Sequence, residues 1–151
     1  MPKTSANPEN CNYYFNWNTL LTRSGINDLN HSTGDPCSLV YPAGKWKTPS
    51  EDDFNLLLTS ANVNFSNEGT GAIKFQNTIT GNTVIFHQAG WLFGLGCTVS
   101  NTTDGQYWTS STSPLGVLGK IFEIGNESAG PRAGFDSEAK SVGASIRCIR
   151  N

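Results

Sequence analysis

The run KWKTPSEDDFNLLLTSA, residues 45–61, places Phe54, Leu57, Leu58 and Ala61 at helical spacing. It predicts a helix over about residues 49–61. Thr48 is the expected N-cap, Pro49 fits the first helical position, and Glu51, three residues after Thr48, completes a capping box. Glu51, Asp52 and Asp53 complement the helix dipole. Beyond this helix the pattern changes to alternation. AIKFQNTITGNTVIFH reads as a hairpin turning at Thr80-Gly81-Asn82, with Ala72, Lys74 and Gln76 opposite in facing to Ile73 and Phe75. AGWLFGLGC is apolar and glycine-rich, and GQYWTSST, GKIFEIGN and GASIRCIRN read as further strands. One helix followed by antiparallel strands is an α+β arrangement.

Upstream, residues 1–10 read as a linker or frayed start and residues 11–151 as a single domain. Residues 11–23 carry an apolar cluster that includes Tyr13, Tyr14, Phe15 and Trp17, and residues 24–45 read as a long irregular loop. A length of 151 residues suits one domain with a real core. Charged residues are only 15% of the chain, against about a quarter in an ordinary soluble protein. The net charge of −2, with no basic run, argues against a nucleic-acid partner. No stretch is apolar enough for membrane insertion, and the polar start Met1-Pro2-Lys3 lacks a signal-peptide core.

Cys11, Cys37, Cys97 and Cys148 form no CxxC pair, so a zinc site is not expected. Widely spaced cysteines in even number suit two disulfides and an oxidising compartment; four buried free thiols are the alternative. Three disulfide pairings are open. Disulfides without an export signal fit an excised domain, or a mature form with a start Met added, of an exported parent. The expected location is therefore extracellular or at the cell surface.

Three segments, in order, resemble a known family. DPCSLVYPAGKWKTPSEDDFNLLL is similar to its Cys-Pro…Gly-Trp-x-x-Pro-Thr/Ser-x-x-Glu/Asp-Phe/Trp-x-x-Leu opening. GQYWTSST resembles its Tyr-Trp-Ser-Ser-Ser/Thr segment, and VGASIRCIRN its closing Gly-x-Ser-Val-Arg-Cys-Val-Arg. These are marks of the Fibrobacter succinogenes major paralogous domain, over roughly residues 35–151. The first segment also resembles modules of exported Bacteroidetes surface proteins of fimbrillin type. The resemblance implies a C-type-lectin-like fold with a twisted antiparallel sheet and long loops. It also implies that the first and last strands meet and that Cys37 pairs with Cys148, leaving Cys11 with Cys97. Tyr107 and Trp108 become framework residues facing opposite sides of a strand, Trp108 inward and Tyr107 either way. Lys47 stands where the family often has Arg or His. The Glu-Pro-Asn, Gln-Pro-Asp and Trp-Asn-Asp marks of calcium-dependent lectins are missing, and the acids outside the helix start are scattered, so no calcium or other metal site is expected.

For catalysis, His31 with Ser32 and Asp35 is adjacency in sequence alone, which does not make a triad. His87 ends a strand and reads as a structural hydrogen-bonder. Glu127 and Asp136 are candidate paired acids only by their place in a loop. No catalytic residue and no cofactor are expected. The glycine-rich stretches Gly125–Ser141 and Ser113–Gly119 read as exposed loops. The first holds Glu127, Arg132, Phe135, Asp136 and Lys140. Glu127, Arg132, Phe135, Asp136 and Tyr107 are the candidate ligand contacts. The expected function is a non-catalytic adhesion module binding a glycan or a host or surface protein without calcium. The alternatives are a structural or tip subunit contacting other pilus or fimbrial subunits, and a small hydrolase or oxidase of the formylglycine-generating type. Under the lectin-like reading Trp46, Phe54, Leu57, Leu58, Trp91, Trp108, Ile146 and Cys148 are expected to be buried.

Overall fold

A computed structural model describes residues 35–69, 71–93, 98–100, 102–140 and 142–151. The expectations for residues 1–34, including His31 and Ser32, and for the Cys11–Cys97 pair lie outside these residues. In chain order the elements are β1 (Trp46–Lys47), α1 (Glu51–Thr59), β2 (Val63–Asn67), β3 (Ala72–Asn77), β4 (Thr83–His87), β5 (Trp91–Phe93), β6 (Thr98–Ser100), β7 (Asp104–Thr112), β8 (Leu118–Glu127), β9 (Gly130–Ala139) and β10 (Ile149–Arg150). The strands form antiparallel ladders: β1–β10, β2–β3–β4, β5–β6 and β7–β8–β9. Among the described residues the architecture is thus α+β, one α-helix with antiparallel sheets.

The helix begins two residues later than the sequence suggests. Ser50, not Thr48, is the N-cap: its hydroxyl accepts from the Asp53 N–H at 3.1 Å, and Asp53 accepts from the Ser50 N–H at 2.9 Å. The same reciprocal capping box therefore forms, shifted along the chain. Thr48 is unavailable because its N–H and its hydroxyl both donate to the buried Asp35 carboxylate, each at 2.6 Å. Lys47 adds an ion pair to Asp53 at 2.8 Å. The helix ends at Thr59 rather than Ala61.

Alternation along β7, β8 and β9 assigns the two faces of that sheet. Tyr107, Phe122 and Ile124 pack inward with Phe54, Ile73, Phe75 and Phe86, and Ala133 and Phe135 border the same cluster. Phe54 of α1 stacks on Phe122 at 4.5 Å between ring centroids, which fixes the helix against the sheet. On the opposite face Trp108 and Ile121 pack with Val142 and Ala144, flanked by Trp91 and Ile146. The β7–β8–β9 sheet is therefore a middle layer with apolar packing on both sides at one end. Of the residues expected in the core, Phe54 and Trp108 are buried; Trp46, Leu57, Leu58, Trp91, Ile146 and Cys148 are half-buried.

The expected hairpin is β3–β4, with Gln76 opposite Thr83 and Gly81 at φ +75° in the turn. Its neighbour β2 was not expected. Only Val63 and Phe65 alternate with polar residues there, too short a pattern to separate from the helix exit, but Phe65 stacks on Phe75 at 5.5 Å. GASIRCIRN is not one strand. Ile149 and Arg150 pair with β1, whereas Gly143 and Ser145 make single bridges to Leu92 and Tyr107. The segment links two layers, so it cannot follow either ladder throughout. Cys148 bonds Cys37 across 5.5 Å between Cα atoms, beside the β1–β10 ladder.

Candidate functional site

The Tyr-Trp-Thr-Ser-Ser-Thr run of β7 serves the framework. Trp108 is fully buried and Tyr107 nearly so. The Tyr107 hydroxyl lies 2.8 Å from both the backbone N–H and the carbonyl of His87. Burial raises its pKa, offset by the His87 bond and by Arg147. Tyr107 is thus a core residue rather than a ligand contact, and the backbone of His87, not its ring, makes the structural bond. The Thr109 hydroxyl donates to the Lys120 carbonyl at 3.0 Å. The Ser111 hydroxyl accepts from the Glu51 N–H at 3.0 Å, satisfying a donor in the first turn of α1. A register shift lies between Trp108 and Thr112, in the stretch where Ser111 meets the helix start.

Residues 125–141 do not form the expected loop. Residues 125–127 finish β8, Gly130–Ala139 form β9, and only Ser128 and Ala129 turn between them. Glycines and Pro131 suggested a loop, but Ala133 and Phe135 alternate inward and the aromatic core captures them. Phe135 packs 5.6 Å from Phe122, so it belongs to the core side. Arg132, Gly134, Asp136 and Glu138 consequently face the other way, with Glu123 and Glu127 of β8 and Asp104 and Gln106 of β7. The register aligns Asp104–Gly125–Arg132 in one row and Gln106–Glu123–Gly134 in the next.

Five carboxylates thus share this outer face with a single arginine. Arg132 holds three of them. It pairs bidentately with Glu123 at 3.0 and 3.1 Å, with Asp104 at 3.1 Å and with Glu127 at 3.0 Å. The hydrogen bonds to Glu123, together with the charges of Glu123, Asp104 and Glu127, raise the guanidinium pKa further despite partial burial. Gly125 makes the arrangement possible, because a Cβ there would run into the Asp104 carboxylate. The sequence reading named Arg132, Glu127 and Asp136; it missed Asp104, Gln106, Glu123 and Glu138, which only the register reveals.

Among the described residues, Asp136 and Glu138 have no arginine partner of this kind. Burial raises the pKa of Glu138, and the charges of Asp136 and Glu123 raise it again, while bonds from the Ala139 backbone and the Gln106 amide work the other way. Gln106 and Glu138 stand on the two outer strands, in different register rows. Their bond means the two side chains lean toward each other across β8. Gln106 is 3% exposed, and its Oε1 has no hydrogen-bond partner. Beside Glu123, Gly134 leaves open space where a side chain would stand.

Among the described residues no group of three or more His, Cys, Asp or Glu side chains is placed to hold a metal ion. No helix among them is long and apolar enough to cross a membrane. The chain matches no family model, no curated protein and no solved structure.

Proposed function

We propose that the chain is a non-catalytic recognition module of the extracellular space or cell surface, and that it binds a carbohydrate or protein through the outer face of β7–β8–β9. The observation that carries this reading is the set of carboxylates fixed by Arg132 beside an open floor at Gly134. A preorganised polar set on a rigid sheet suits binding, because little side-chain freedom is lost when a ligand arrives. The aromatic core behind the sheet supplies the rigidity. The disulfide between Cys37 and Cys148 supports an oxidising location.

The proposal includes membership of the C-type-lectin-like group. Its supports are the three ordered motifs, the helix ahead of the antiparallel strands, and terminal strands that pair beside a disulfide. An assembly subunit is the second reading. It draws on Leu115 and Val117, 85% and 66% exposed at the tip between β7 and β8. An oxidase of the formylglycine-generating type calls for a late pair of thiols, and Cys148 is tied to Cys37.

A glycan and matrix-protein array, run with and without EDTA, tests the reading. The expected result is a specific hit that survives EDTA and is lost in Gly134→Val. A hit unaffected by that variant, or silence on both arrays, overturns the assignment of this face.

A further inference from the structure

Gln106 is the least exposed polar group of the outer face, and its Oε1 has no hydrogen-bond partner. Its amide lies toward Glu138, whose charged form it favours. This orients the amide within the carboxylate cluster and leaves Oε1, on the same amide, covered and without a donor. A buried acceptor with no donor costs free energy that a fitting donor recovers. The neighbours are acceptors as well: Glu123 lies opposite Gln106 in the register, and Asp136 and Glu138 continue along β9. Arg132 is already committed to Asp104, Glu123 and Glu127. The arginine of this face is therefore spent on its own carboxylates, and nothing among the described residues donates to Gln106 Oε1.

We propose, building on the recognition face described above, that the group bound there is a primary ammonium. It seats over Gly134 with its charge balanced by the carboxylates of this face, and the Gln106 amide turns so that its Oε1 accepts one N–H. Two observations favour an ammonium over other cations. The carboxylates are not grouped to chelate one metal ion, whereas an ammonium has three donors that can satisfy separate acceptors. The open space at Gly134 admits the compact head of an ammonium. A lysine side chain and a free alkyl diamine both carry this group.

The test is an amide-NMR titration of the full chain with four probes: a Gly-Lys-Gly peptide, its Nε-acetylated form, Gly-Arg-Gly, and 1,5-diaminopentane. The lysine peptide is expected to shift Gln106, Glu123, Gly134 and Glu138. The acetylated and arginine peptides should bind at least about tenfold more weakly, since a tenfold change is about 1.4 kcal/mol and within the range of one charged hydrogen bond. Binding of the diamine as well identifies a free-amine site; binding of the peptide alone identifies a peptide lysine. Gly134→Val, whose added side chain meets open space and spares the fold, should abolish either, and Glu138→Gln should weaken it. Equal binding of the acetylated peptide, shifts elsewhere on the chain, or no response to any amine overturns the ammonium inference; in the last case Gln106 Oε1 is served by an ordered water only. If an array hit is still lost in Gly134→Val, the recognition face stands without the ammonium. If no hit depends on Gly134, both fall.

Discussion

Replacing Arg132 by leucine removes the arginine that pairs three of the five carboxylates on this face. The consequence follows from where its partners sit. Asp104 and Glu123 have side chains only 11% and 17% exposed, whereas Glu127 is 62% exposed. Glu127 can turn to water at little cost. Asp104 and Glu123 cannot, and breaking a fully buried pair costs about 3–5 kcal/mol. Arg132 itself is 35% exposed, so solvent screening lowers that figure to about 2–3 kcal/mol. For a domain of this size the melting temperature should fall by about 5–10 °C. Calorimetry of both proteins at neutral pH reads this directly. A gap below about 1 kcal/mol refutes the assignment of Arg132 as the clamp of this face.

Glu138→Gln should stabilise the fold near neutral pH and have little effect near pH 4, because a carboxyl with a raised folded pKa costs stability only once it ionises; thermal melts at the two pH values check this. Removing the Cys37–Cys148 bond by Cys37→Ala with Cys148→Ala opens a loop whose ends are separated by 111 residues. Urea unfolding should show a loss of about 4–5 kcal/mol, and a loss under about 1 kcal/mol would contradict that value. Ser50→Ala should cost about 1 kcal/mol through the lost helix cap. Thr48→Ala should cost at least as much for a different reason: it leaves a buried Asp35 oxygen without its hydroxyl donor. Urea melts that rank Thr48→Ala as neutral would refute the buried bond to Asp35, and a neutral Ser50→Ala would refute the cap at Ser50.

Local patterns carried the helix, the β3–β4 hairpin and the cores of β7 and β8 in the sequence, because their apolar spacing is long enough to choose one period. The capping shift from Thr48 to Ser50 was hidden. Both residues have acids three positions on, and only the distant Asp35 decides between them. The strand β9 was hidden by its own glycines and proline, whose local preference loses to two inward residues, Ala133 and Phe135, held by the core. Arg132, Glu127 and Asp136 stood out as charges in a glycine-rich stretch. Asp104, Gln106 and Glu123 did not, because a cluster assembled across three strands exists only in the register. The pairing of Cys37 with Cys148 came through likeness to a family rather than through spacing, since four cysteines leave the choice open.

The disulfide and the short β1–β10 ladder have a mechanical meaning. Cys37 and Cys148 bracket the helix and all three larger ladders. Tension that enters the chain ahead of Cys37 and leaves after Cys148 passes through the sulfur–sulfur bond, not through the residues between. Among the described residues, pulling would detach only Asp35, Pro36 and residues 149–151, which lie outside the bridge, while the outer face of β7–β8–β9 stays assembled under load. A module tethered against flow could therefore hold its ligand at forces that would unzip an unbridged sheet. Reduction of one covalent bond would remove that protection at once.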